Sequence, residues 1–385
     1  MSGAEAAGRA PVQEAAYLEA LDFARRVLQP VAGAMDQEDT FPLAVWREFA
    51  RHGYAGLGIP PAYGGSGGDL LTAALVGRAL SRVSPAFALS YGAHLNLCAH
   101  NILKNGTDAQ KRRYLPELAS GRTIGAMALT EPNAGSDATA IRTTAVASKD
   151  GYRLNGTKMF ITNAPIAGLF VLYAKTRPQA GSEGISAFIV EASSPGLRLA
   201  RSLDKLGMRG SPTGELVLDD CQVPEENLLG EKDRGVLVMM QGLDAERAFY
   251  SFSGVGIAEE ALERSIRYAG EAVRDGLAVE AVEAIQTKIA DMYVATEAAR
   301  LLAYEAVHTV LGGQRASRAA AAALLFSGQT ARMAADAALE IHQGSGFRRG
   351  SVVERFWRDA KLFDIGAGTK EIRRVVLARE LTGRR

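Results

Sequence analysis

The sequence predicts an α+β protein built in three blocks, helical, then β, then helical, and three observations carry that reading. Apolar residues recur every three or four positions from Gln13 to about Gly121. Between about residues 125 and 232 the rhythm changes to short alternating runs separated by turn residues, and from Gly235 onward long helical patterns return. The predicted domains are therefore 1–124, an N-terminal α-helical domain; 125–232, a middle antiparallel β-domain; and 233–385, a C-terminal helical bundle.

The first block rests on "YLEALDFARRVLQPVAGAMD" and "PLAVWREFARHGYAGLGI", with Pro30, Pro42 and "IPPAYGGSGG" as punctuation. The middle block rests on "GYRLNGTKMFITN", "GLFVLYAKT", "GISAFIVEA" and "GELVLDDCQV". The third contains "VLVMMQGLDAERAFYSFSGVGIAEEALERSIRYAG", "EAIQTKIADMYVATEAARLLAYEAVHTVL" and "RAAAAALLFSGQTARMAADAALEIHQG", whose lengths suit a bundle.

Composition narrows the function classes. With 47% hydrophobic and 23% charged residues over 385 positions, the chain can bury a large core. Its 44 basic and 43 acidic residues give a formal charge of +1, so nothing draws it toward nucleic acid or an anionic membrane. No apolar run approaches the ~20 residues of a membrane span, and the N-terminus lacks a secretory signal, so the expected address is cytoplasmic. Cys98 and Cys221 match no zinc or redox spacing, and His94, His100 and His308 are scattered without metal-ligand spacing, so no metal site is expected. Gly64, Ser66 and Gly68 match Gly-x-Ser-x-Gly but follow Pro60 and Pro61 rather than a central strand, which argues against a nucleophile elbow.

"FDIGAGTKEIRR" is the most pointed stretch. Gly366, Ala367 and Gly368 allow close backbone approach, Thr369 predicts a helix N-cap, and Glu371 falls in the first turn. Such a loop presents N–H groups to a ligand. It holds no proton acceptor of its own, so a base for chemistry there must come from elsewhere.

The chain resembles the acyl-CoA dehydrogenase family over almost its whole length, and within it the isovaleryl-CoA dehydrogenase branch. The likeness lies in "SYGAHLNLC", "LTEPNAGSD", "LNGTKMFITNAP", "LDKLGMRGSPTGELVLDDCQVP", "GLDAERA", "QTKIADMY" and "RDAKLFDIGAGTKEIRRVVLARE". The resemblance implies an acyl-CoA dehydrogenase-like fold ending in a four-helix bundle, with FAD bound where the domains and two subunits meet. The implied reaction removes an α-proton and a β-hydride from an acyl thioester.

In many relatives the base is a glutamate at the position of Ala367; the isovaleryl branch carries it in a Leu-x-x-Glu-Arg segment, which Leu243 to Arg247 match. Glu246 is thus the implied base, with Asp244, Arg247, Ser136, Ala367 and Gly368 toward the substrate and the Ala367 N–H as half of an oxyanion hole. Leu243, Phe249, Tyr250 and Ser253 lie three, four or seven positions from Glu246, giving it an apolar or aromatic face that would raise its pKa. For the flavin the resemblance implies Met127, Leu129, Thr130, Gly135, Ser136, Phe160, Ile161, Thr162, Thr369 and Glu371, with Phe160 where relatives usually have tryptophan.

Several positions depart from the family. Where relatives grip the FAD pyrophosphate and adenine, this chain has Ala272, Asp275, Gly276, Val282, Glu283 and Glu340; either Arg274, Arg348 or Arg349 substitutes, or a non-identical partner subunit completes the site, or FAD binds weakly or in a changed pose. Glu183 follows Ser182 where the isovaleryl branch has arginine near CoA, which fits an acyl chain on a carrier protein or a free acid without CoA. The expected electron acceptor is an electron-transfer flavoprotein, with dioxygen in the alternative of a biosynthetic oxidase or monooxygenase; the expected assembly is a homotetramer or dimer.

Overall fold

Helical periodicity shapes the first block. In the computed structural model, which describes residues 3–274 and 277–383, α1 (Gly3–Phe23) passes through a π-helical turn (Ala24–Leu28) into α2 (Gln29–Glu38). Pro30, read as punctuation, does not interrupt this stretch. The wide turn resets the hydrogen-bond register, so Pro30 lies in a first turn, where a missing N–H costs little. α3 (Leu43–Arg51), α4 (Leu70–Ser81), α5 (Pro85–Gly92), a second π-helical turn (Ala93–Ala99), α6 (His100–Asn105) and α7 (Asp108–Ala119) complete the block. Trp46, Phe49, Phe87 and Tyr91 form its buried aromatic centre, and Trp46 Nε1 donates to Gly121 O at 2.9 Å. Ser66 lies in a loop and donates to Gly53 O at 2.6 Å.

The middle block is a sheet of β1 (Gly125–Ala128), β2 (Thr144–Ser148), β3 (Gly151–Thr162), β4 (Leu169–Lys175), β5 (Ile185–Glu191), β6 (Leu197–Ser202), β7 (Thr213–Val223) and β8 (Leu228–Leu229). Its order is β6-β7-β3-β2-β4-β5-β8, with β1 beside β4. Most neighbours are antiparallel, but β1 runs parallel to β4 and β2 meets β4 in parallel at Thr144 and Lys175, so the sheet is mixed rather than purely antiparallel. The β2–β3 hairpin lies between β1 and β4 in the chain, and a connection of that length allows re-entry from the same end. Alternating hydrophobicity is blind to this direction.

The last block holds α8 (Gly235–Glu271), α9 (Glu283–Leu311), α10 (Ser317–Gly346), α11 (Val352–Ala360) and α12 (Lys370–Thr382). α10 packs on α8, α9 and α12 in a four-helix bundle, and α8 also packs on α4 and α5. The Phe249 ring of α8 fills the space over two glycines: a Cβ on Gly77 or on Gly92 would stand 2.7 Å from it. No helix among the described residues is long and apolar enough to cross a membrane.

Candidate active site

α8 carries Glu246 into the seam between bundle and N-terminal block, where it is only 4% exposed. Its Oε2 accepts a hydrogen bond from Asn96 Nδ2 at 3.1 Å, and Oε1 lies 3.5 Å from where a Cβ on Gly92 would stand. Burial pushes the Glu246 carboxyl up to about 7, with the Asn96 hydrogen bond pulling the other way. Asn96 Oδ1 and the Tyr250 hydroxyl are buried there without a partner among the described residues. Asn96 itself was missed by sequence reasoning. The signal was a polar residue inside the apolar run "GAHLNLCA"; the π-helical turn that aims it could not be read from periodicity.

The loop beyond α11 lies against this helix. Phe363 stacks on Tyr250 with ring centroids 4.5 Å apart, one turn from Glu246. Arg247, 5% exposed, donates from Nε to Ala367 O at 3.2 Å and from Nη1 to Asp244 Oδ1 at 3.0 Å; Asp244 Oδ2 accepts from Ser317 Oγ at 2.6 Å. Asp244 thus orients Arg247, and Arg247 holds the loop. Ala367 has φ of +53° and Gly368 +86°, and neither N–H donates to another described residue. A left-handed alanine costs roughly 1–2 kcal/mol, a strain that collects at functional loops. Thr369 caps α12, accepting from Ile372 N at 3.3 Å as its sequence position predicts, and Glu371 is exposed in the first turn.

The remaining candidates gather on the sheet. Met127, Thr130 and Thr162 are half-buried, Leu129 and Ile161 are buried, and Gly135 and Ser136 are exposed. Phe160 is 61% exposed at a register shift in β3 and has φ of +58°, so a bulge turns its flat ring outward. A fully buried ion pair underlies this surface: Lys158 Nζ donates to Glu131 Oε1 at 2.9 Å and to Leu129 O at 3.0 Å. Glu131 also accepts from Arg142 N at 2.6 Å and Thr143 N at 3.0 Å. Burial lowers the Lys158 ammonium to about 8 against the pull of Glu131. The pair ties the segment after β1 to the bulged strand.

The described positions that depart from the family take part in none of the contacts above. Ala272 ends α8, Glu283 is exposed in the first turn of α9, and Asp275 and Gly276 fall outside the described residues. Glu340 on α10 is ion-paired with Lys288 on α9, so its charge is met within the bundle. Arg348 and Arg349 are exposed beyond α10. Ser182 and Glu183 are exposed in the turn Pro178–Gly184, where Arg177 Nη2 donates to Glu183 O at 3.1 Å. His94 is packed, accepting from Gly125 N at 3.0 Å.

A three-block helical, β and helical scaffold thus holds a buried carboxylate on α8, and the neighbouring Arg247 and Tyr250 of that helix grip a loop with a left-handed alanine. Models of the acyl-CoA dehydrogenase N-terminal, middle and C-terminal domains match residues 11–122, 126–221 and 233–382. Mitochondrial isovaleryl-CoA dehydrogenase of Oryza sativa subsp. japonica is 41% identical over 361 residues, covering 93% of this chain and 88% of that protein. Butyryl-CoA dehydrogenase from Megasphaera elsdenii superposes with a TM-score of 0.94 at 35% identity, covering 96% of this chain and 98% of the other. The prolyl acyl carrier protein oxidase AnaB superposes with a TM-score of 0.92 at 34% identity, with coverages of 96% and 98%. The chain belongs to the acyl-CoA dehydrogenase family and is an FAD-dependent oxidoreductase. The residues present fit that cofactor: the Phe160 ring is turned outward, Met127 is half-buried, and Met159 N donates to Thr130 O at 2.8 Å, which brings the segment after β1 alongside the Phe160 bulge.

Proposed function

We propose that the protein catalyses α,β-dehydrogenation of a short or branched-chain acyl thioester, isovaleryl-CoA-like, with Glu246 abstracting the α-proton. The observation that carries this reading is the Glu246 carboxylate, withdrawn from solvent and held at one oxygen by Asn96, on a helix whose Arg247 grips a loop in which the Ala367 and Gly368 N–H groups meet no partner among the described residues. An α-proton next to a thioester is a weak acid, so a base with a pKa near neutrality and a donor for the developing enolate oxygen are both needed. Asn96 occupies Oε2 and leaves Oε1 as the accepting atom. The Ala367 N–H binds the thioester carbonyl, and the small Ala367 side chain leaves room for a branched acyl group. Arg247 and Asp244 set the loop, and Gly368 and Ser136 border the substrate.

FAD, when bound, supplies the hydride acceptor that no side chain can provide. Met127, Leu129, Thr130, Gly135, Ser136, Phe160, Ile161 and Thr162 would hold its ring region, with Thr369 and Glu371 at the start of α12. An electron-transfer flavoprotein is the proposed acceptor, and a homotetramer the proposed assembly. The test is anaerobic mixing of the purified flavoprotein with isovaleryl-CoA while the flavin band is followed. Bleaching supports the reading; an unchanged band with every short acyl-CoA would remove it.

A second reading, an oxidase acting on a carrier-bound acyl group, is favoured by the likeness to the prolyl carrier-protein oxidase and by Glu183 beside Ser182. Turnover only with an acyl carrier protein and dioxygen, and none with acyl-CoA, is its signature.

A further inference from the structure

Arg373 is an unusual charge for this fold to bury. Its side chain projects from α12, is 1% exposed, and meets no carboxylate among the described residues. Its partners are two carbonyls of the glycine loop: Nη1 donates to Phe363 O at 2.6 Å and Nη2 to Gly366 O at 2.5 Å, while Nε has no hydrogen-bond partner among the described residues. Burial and the nearby Arg247 push its pKa down to about 10. Asp364 and Glu371 act on it only through space, with no direct ion pair, and a desolvated cation held that way is an expensive means of gluing a helix to a loop, where apolar packing often serves as well.

The geometry of the peptide unit shows what the guanidinium achieves. The described peptide bonds are trans, so the C=O and N–H of each unit point in opposite directions. Gly366 O and Ala367 N–H belong to one unit. Drawing Gly366 O toward α12 therefore turns the Ala367 N–H away from α12. Arg247 fixes the next unit through Ala367 O. Left alone, the Gly366–Ala367 unit would tend to rotate, because that rotation relieves the left-handed φ of +53° at Ala367. The same rotation changes ψ of Gly366, which has no side chain to resist it.

We infer that Arg373 is a positioning residue which, by clamping the Gly366 carbonyl, keeps the Ala367 N–H turned toward the acyl thioester oxygen. The inference rests on the proposed role of the Ala367 amide. Arg373 touches neither substrate nor base; it acts through one peptide plane.

The test uses the full-length holoenzyme. In a Glu246→Gln background, which is expected to react about 10²–10⁴-fold more slowly, isovaleryl-CoA labelled with 13C at the thioester carbonyl is bound at saturation and its C=O stretch recorded by infrared difference before the flavin is reduced. The band is expected below that of the free thioester, and adding Arg373→Met is expected to return it most of the way. With Glu246 intact, Arg373→Met lowers the flavin reduction rate about ten- to a hundredfold, less than the loss of a whole oxyanion donor, and moves KM far less. A band that is not lowered in the Glu246→Gln reference refutes the Ala367 reading and the inference with it. A lowered band that Arg373→Met leaves in place overturns the Arg373 inference alone. Should Arg373→Met not fold, Arg373→Gln, too short to reach both carbonyls, replaces it; an unmoved band there is equally fatal to the inference.

Discussion

Asn96 donates from Nδ2 to Glu246 Oε2 at 3.1 Å, joining a π-helical turn of the N-terminal block to the first helix of the bundle across a seam closed to solvent. The contact favours the charged form of a carboxyl that its surroundings otherwise keep neutral. It moderates the effect of burial on the proposed base and decides which of its oxygens remains free.

Removing that donor should therefore be visible as a pH shift. In wild-type enzyme the anaerobic flavin reduction rate is expected to rise with pH through about 7, as Glu246 loses its proton. Asn96→Leu should move this limb upward by about one pH unit or more, since a hydrogen bond to a charged group contributes about 1.5–3 kcal/mol and one unit is about 1.4 kcal/mol. Stopped-flow reduction across pH 6 to 9 checks it, and an unmoved limb would count against the contact's role.

Glu246→Gln should lower flavin reduction by about 10²–10⁴-fold, the usual contribution of general base catalysis. Its stability should change with pH in a defined direction. The folded-state pKa lies above the unfolded value, so the protonated carboxyl stabilises the fold below the unfolded value, and that stabilisation is lost as pH rises toward about 7. Thermal melts should show the glutamine variant gaining on wild type between pH 5 and pH 8.

The ion pair beneath the sheet surface makes a third prediction. Lys158→Met leaves Glu131 charged and buried, and should cost about 3–5 kcal/mol by urea denaturation, with weakened FAD retention as the segment after β1 loosens. The double variant Lys158→Met, Glu131→Gln should recover most of the loss. Equal destabilisation in single and double variants would show that the pair is not the source.

The Phe249 site offers a fourth. Gly92→Ala places a methyl 2.7 Å from the Phe249 ring and should cost about 1–3 kcal/mol through overpacking. Phe249→Leu in the same chain should restore part of it, as read from Tm.

What the sequence disclosed and withheld divides along local and distant causes. The order of blocks, the cap at Thr369 and the apolar face around Glu246 depend on residues within a turn or two, so periodicity and spacing reveal them. The mixed sheet, the uninterrupted passage at Pro30, the approach of Asn96 to Glu246 and the grip of Arg373 on Gly366 depend on elements far apart in the chain or on a widened helical turn. The outward ring at Phe160 belongs with these, because a bulge in β3 and not the alternation of the strand decides which way it faces.

The parallel pairing of β1 with β4 also constrains the order in which this chain matures. Gly125 has its ladder partner at Leu169, so when β1 leaves the ribosome its place beside β4 does not yet exist. At about 5–20 residues per second the gap lasts some seconds, during which β1 stays unmated behind a helical block already free to form. A nascent chain stalled just before Leu169 should therefore expose a docking edge that chaperones can hold, and release it only once β4 has emerged.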